Sequence, residues 1–116
     1  MKTLAAAVLA AASAAALAAP KAESAMECGI AADMAVVARS LAQEAVQRPQ
    51  ATAIMARIYD VSESTRGREL MRDILDAAYR QDSAAGGASS QKFAEELFTA
   101  CMKTGGNMDT VLGRRL

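Results

Sequence analysis

The sequence predicts an all-α domain, a small bundle of about four helices in which one disulfide joins the first helix to the last. Three observations carry that prediction. Apolar residues recur at helical spacing through four stretches separated by Pro, Ser and Gly punctuation. No alternating apolar and polar run is long enough to read as a strand, and no internal repeat is visible. Two cysteines, Cys28 and Cys101, open the first stretch and close the fourth, in a chain whose N-terminus reads as an export signal.

Residues 1–18 are expected to be a cleavable signal peptide. Lys2 supplies the positive end, residues 4–18 the apolar run, and Ala16-Leu17-Ala18 the small-x-small cleavage signal. A cut after Ala18 starts the mature chain at Ala19, whereas a cut one residue later would place Pro20 directly behind it. The run is shorter than the roughly 20 apolar residues of a membrane span, so no stable membrane insertion is expected after cleavage. Glu27 stands before Cys28 where lipid attachment wants a small residue. The remainder divides into a helical domain over 19–106 and a tail over 107–116 that either docks one short turn or stays disordered.

The first helix is predicted over 26–47. Ser24-Ala25-Met26-Glu27 forms a capping box at its start, in which serine accepts from the third amide and glutamate reaches back. Ile30, Met34, Val37, Leu41 and Ala45 make one apolar stripe. The far side, Cys28, Ala31, Ala35, Ala42 and Val46, is also small and apolar apart from Arg39, as suits a helix packed on two faces or one that pairs with a second copy. Pro49 ends that helix or begins the next, since its missing amide is tolerated only in a first turn, and the second segment over 49–60 has the stripe Ala51, Ile54, Ile58 and Val61 with Met55 beside it. Ser62-Glu63-Ser64-Thr65 caps a third helix, which aligns Leu70, Ile74, Ala77 and Ala78, with Met71 and Leu75 widening the stripe. Its opposite flank, Glu69, Asp73, Asp76 and Arg80, reads as solvated, with Asp76 and Arg80 paired four residues apart. The Ser/Ala/Gly run over 83–90 is a loop. Ser89 or Ser90 caps a fourth helix over 91–103 that gathers Phe93, Leu97, Ala100 and Cys101, and Gly105-Gly106 ends it.

Composition narrows function by exclusion. The chain has 116 residues, Lys+Arg 13 against Asp+Glu 13, and no histidine. Losing Lys2 with the leader tips the mature chain slightly acidic with signs interspersed, which argues against nucleic-acid binding. Phe93, Phe98, Tyr59 and Tyr79 are the aromatic residues, too few for a stacking platform. Without histidine there is no general base poised near neutral pH and no imidazole for zinc, and no glycine-rich phosphate loop follows a strand. Glu95-Glu96 and Asp73 with Asp76 read as solvated helix faces rather than catalytic pairs. Met26, Met34, Met55, Met71, Met102 and Met108 form no Met-x-x-Met cluster and read as core filling rather than a copper site. No catalytic residue, cofactor or metal site is therefore assigned, and the chain is not expected to be an enzyme.

Export places the cysteines in an oxidising compartment, where an even pair favours a structural Cys28–Cys101 bond over intermolecular pairing or redox chemistry. Such a bond closes a loop of about 74 residues and stabilises by roughly 4 kcal/mol. The leader, the cysteine opening a long helix, the aromatic Tyr79 before a small-residue loop and the run SSQKFAEELFTAC over 89–101 together resemble the small two-cysteine helical proteins that many Gram-negative bacteria export. A looser similarity is to the periplasmic acid-stress chaperones, although here the segment between the cysteines is longer. The resemblance implies a periplasmic or secreted bundle and carries over no catalytic residue. The function expected is non-enzymatic binding or protection of another protein, with homodimerisation open. The alternatives are a small-ligand carrier with an Ala- and Met-lined cavity, or an enzyme inhibitor presenting the 83–90 loop.

Overall fold

The computed structural model describes residues 22–83 and 88–113. The expected leader, residues 84–87 of the small-residue loop offered for the inhibitor reading, and Arg114-Arg115 lie outside them. Four long helices, α1 (Ala25–Gln43), α2 (Arg48–Tyr59), α3 (Thr65–Ser83) and α4 (Ser90–Lys103), are followed by a single turn, α5 (Asp109–Leu112), with no strand among the described residues. The all-α bundle and its Cys28–Cys101 clasp are as the sequence predicts. α1 runs through the middle, packed along α4 and α3 and more lightly on α2, while α5 rests on α3 and α4.

Local chemistry sets the helix starts. Ser24 Oγ accepts from the Glu27 amide at 3.2 Å, but the Glu27 carboxylate reaches past Ser24 to the Glu23 amide at 2.8 Å, so the capping box closes one residue early. Pro49 lies in the first turn of α2, where its missing N–H is harmless. Ser64 Oγ accepts from the Gly67 amide at 2.9 Å, and Ser89 Oγ from the Lys92 amide at 3.1 Å.

α1 stops at Gln43, short of the predicted 47, because the chain turns through a Schellman motif. The Val46 amide donates to the Leu41 carbonyl and the Ala45 amide to the Ala42 carbonyl, both at 3.0 Å, with Ala45 left-handed at φ 61°. An alanine in that region carries a steric cost that glycine lacks. Ala45→Gly is therefore expected to stabilise the fold by about 0.5–1 kcal/mol despite the looser unfolded chain. A lower denaturant midpoint for the variant would contradict this.

The buried side of α1 is the small-residue face. Cys28, Ala31, Ala35, Ala38 and Ala42 are buried with Met34, whereas Val37 and Leu41 are half-buried, Ile30 is 42% exposed and Ala45 is exposed. The predicted aliphatic stripe thus becomes a flank. Alanines let the neighbouring helix axes approach closely, and Ile74, Leu75, Phe93 and Leu97 supply the bulk from the facing helices. α2 departs from its predicted stripe in the same way. It buries Ala51 and Met55, while Ile54 is 39% and Ile58 55% exposed.

α3 buries its predicted stripe, but its opposite flank is not simply solvated. Asp73 is buried at 9% exposure. Asp76 pairs with Arg48 of α2 at 2.6 Å, and Arg80 donates to the Leu112 carbonyl at the end of α5. Asp76 and Arg80, expected to pair with each other, are thus held by α2 and by the tail. Arg39, the odd residue on the small face of α1, is buried at 2% exposure; its Nε donates to the Ala88 carbonyl at 2.5 Å and its Nη1 to the Ala78 carbonyl at 3.3 Å.

α4 buries Phe93, Ala94, Leu97 and Cys101, with Ala100 half-buried. Beyond it Gly106 adopts φ 105° and its carbonyl accepts the Ala22 amide at 3.1 Å. A Cβ on Gly106 would lie 2.0 Å from the Ala22 carbonyl oxygen, so only glycine fits where the chain returns to its beginning. The tail then docks a turn rather than staying free, with Met108 and Leu112 buried.

Candidate functional site

The two residues singled out from the sequence meet at one end of the bundle. Cys28 and Cys101 are bonded at 2.01 Å with Cα atoms 5.7 Å apart, and both belong to the core. A shallow hollow beside the bond, about 210 Å³, is lined by Ala22, Ser24, Met102 and Gly105. Among the described residues no cluster of three or more His, Cys, Asp or Glu is placed to hold a metal ion.

A charged strap lies nearby. Arg66, in the first turn of α3, grips Glu27 of α1 with two hydrogen bonds, at 2.6 and 3.0 Å, with Glu23 at 3.5 Å. The Arg66 hydrogen bonds, then the Glu23 amide, hold the Glu27 carboxyl down at about 2. This strap borders a cleft of about 180 Å³ floored by Ile30, Met34, Val61 and Leu70. At the cleft's far side Tyr59 donates to Asp33 at 2.6 Å; burial, then that carboxylate partner, raises the Tyr59 hydroxyl above its ordinary value.

The sign of the acid response follows. Glu27 is held below its ordinary 4.5, so its stabilisation is complete above about 4.5 and is lost as pH falls through about 2. Glu27→Gln is expected to flatten the fall in stability between those values, read from denaturant midpoints at successive pH. An unchanged slope would show that other carboxylates govern the acid limb.

A larger groove lies between α2 and α3. One wall is the face of α2 that carries Arg48, Thr52 and Ala56, and the other is the face of α3 that carries Arg68, Met71, Arg72 and Leu75. Val61 and Ser62 close the end, and the groove measures about 430 Å³. Its lining holds three guanidinium groups and no carboxylate. Arg48 crosses from α2 to Asp76 at 2.6 Å and to the Arg72 carbonyl at 3.4 Å, with its guanidinium carbon 5.9 Å from the Tyr79 ring centroid. Tyr79 in turn donates to the Val46 carbonyl at 2.5 Å, tying the α1–α2 connection to α3. Arg68 is anchored to the Ser62 carbonyl and to Thr65 Oγ1, the latter at 3.2 Å.

α2 is therefore a helix with two different faces to offer. One flank forms the arginine-lined groove, and elsewhere on its surface Ile54 and Ile58, one turn apart, stand exposed. The sequence reading placed Val61, Met71 and Leu75 on apolar stripes and singled out none of the groove's arginines. The available signal was the spacing of Arg68 and Arg72, one turn apart and interleaved with Met71 and Leu75, but their convergence with Arg48 needs the tertiary placement of α2. Among the described residues no helix is long and apolar enough to cross a membrane. Compared with family models, curated proteins and solved structures, the chain matches none.

Proposed function

We propose that this chain is an exported, non-enzymatic periplasmic protein that acts by binding another protein through the outward face of α2. The observation that carries this reading is the exposure of Ile54 and Ile58 on a helix that buries only Ala51 and Met55. Two stiff aliphatic side chains one turn apart are the kind of i and i+4 anchor that helix-mediated recognition uses. The apolar run over 4–18 and the small-x-small signal support export, and a core disulfide belongs in an oxidising compartment. The lack of histidine supports the non-enzymatic reading.

Two measurements test it. The intact mass of protein recovered from the periplasm should correspond to a chain starting at Ala19 less two hydrogens, with thiols appearing only after reduction. An uncleaved leader or free thiols would remove the compartment from the proposal. A photocrosslinking residue at Ile58 should give a discrete adduct in cells that the same residue at Lys92 does not, and Ile54→Ser should abolish it. No adduct from Ile58, or one at twice the chain's own mass, would overturn binding to a different protein, the second outcome pointing to self-association.

A further inference from the structure

The α2–α3 groove is bounded at both ends. At one end Arg48 bars it by reaching across to Asp76 and the Arg72 carbonyl, and at the other the α2–α3 connection closes over it, held by Arg68 at the Ser62 carbonyl. Along α2 the distance from Arg48 to Ala56 is about 12 Å at the helical rise. A partner helix is itself about 10–12 Å across and needs a trough open at its ends, so a groove barred at both suits a small molecule better. Its volume, about 430 Å³, falls within the usual range for such ligands.

The chemistry of the lining selects the class. Ala56 and Val61 supply the accessible apolar surface, and the buried Met71 and Leu75 lie beneath it as a floor, where the flexible Met71 can adapt its shape. Asp76 offsets Arg48, which leaves Arg68 and Arg72 as the uncompensated charges of the lining. Arg68 and Arg72 are exposed and four residues apart, so their guanidinium groups stand on one face of α3. Arg68 spends one donor on Ser62 and one on Thr65, leaving others of its five, and the Arg72 guanidinium makes no ion pair or side-chain hydrogen bond among the described residues. The planar fork of arginine matches a carboxylate in two parallel bonds. The geometry points to a binding site for a single-chain aliphatic carboxylate, its tail along Ala56 and Val61 over the Met71 and Leu75 floor and its head on Arg68 and Arg72.

This site goes beyond the protein-binding reading and uses different residues of α2, so either can fail alone. The test is a titration of the mature, disulfide-bonded protein with decanoate below its aggregation concentration, followed by NMR of the Val61, Met71 and Leu75 methyl groups. Saturable one-to-one shifts centred on those residues are expected. Decanol, which keeps the tail and loses the charge, should bind at least about tenfold more weakly, as should the Arg68→Gln/Arg72→Gln variant to decanoate. Ala56→Phe, a substitution at an exposed position on the α2 wall, should block the groove while leaving both arginines intact, and so reports even if the double variant unfolds. The proposal is overturned by an absence of saturable shifts, by shifts centred elsewhere, by equal binding of decyltrimethylammonium, or by saturation with an acidic peptide and not with decanoate.

Discussion

Replacing both Cys28 and Cys101 by alanine is expected to lower the free energy of unfolding by about 4 kcal/mol. The bond spans 73 residues of sequence and joins the first turn of α1 to the last turn of α4, so it encloses nearly the whole helical core in one covalent loop. Breaking it releases the unfolded chain from that loop, while the folded chain keeps its packing. For a domain of this size the loss is a large part of a total of roughly 5–15 kcal/mol, and the thermal midpoint should fall by about 20 °C. Denaturant curves for the oxidised protein and the double variant decide the matter. A loss under about 1 kcal/mol would mean that packing of α1 on α4 already holds the two ends together in the unfolded ensemble.

Arg39→Met is the second large effect, an expected loss of about 3 kcal/mol. Methionine retains an apolar stem in the space Arg39 occupies but removes the charged donor from the Ala88 and Ala78 carbonyls, in a site from which water is almost excluded. Arg39→Lys keeps the charge without the planar fork and should fall between the two. The defect should also be local. Ala88 immediately precedes the Ser89 cap, so amide exchange in the first turn of α4 should quicken more than in α2. Uniform quickening with a small stability change would show that the fork does not position α4.

The disulfide and Arg39 also show how far the sequence reached. Cys28 and Cys101 were legible because an even cysteine count and placement at opposite ends of the helical region leave one intramolecular pairing, and the observed bond is that one. Helix boundaries were legible wherever a side chain caps its own neighbourhood, as Ser24, Ser64 and Ser89 do. Ala45 shows the limit, because a left-handed alanine carries none of the glycine signal that marks such a stop. Arg39 was visible as an anomaly, but its acceptors lie 39 and 49 positions away and no local pattern links them. The burial of alanine over isoleucine on α1 and α2 was hidden for a related reason. Periodicity reports which residues share a side, and hydrophobicity favours the side with the larger ones. Close approach of neighbouring helices rewards the side with the smaller ones, and it exists only once those helices are in place. The α2–α3 groove belongs to the same category, since its arginines converge from two helices.

The alanine lining of α1 changes what mutagenesis can learn from this protein. An alanine scan, the usual survey of a core, is silent at Ala31, Ala35, Ala38 and Ala42, where the native residue is already the probe. The tightest seam of the bundle would be scored as unimportant by omission. It becomes visible only by adding atoms, with Ala→Val or Ala→Leu at each position, where about 1–3 kcal/mol of overpacking is the signal. A comprehensive substitution library should therefore show α1 as a row of positions intolerant of growth, with little trace in any truncation series.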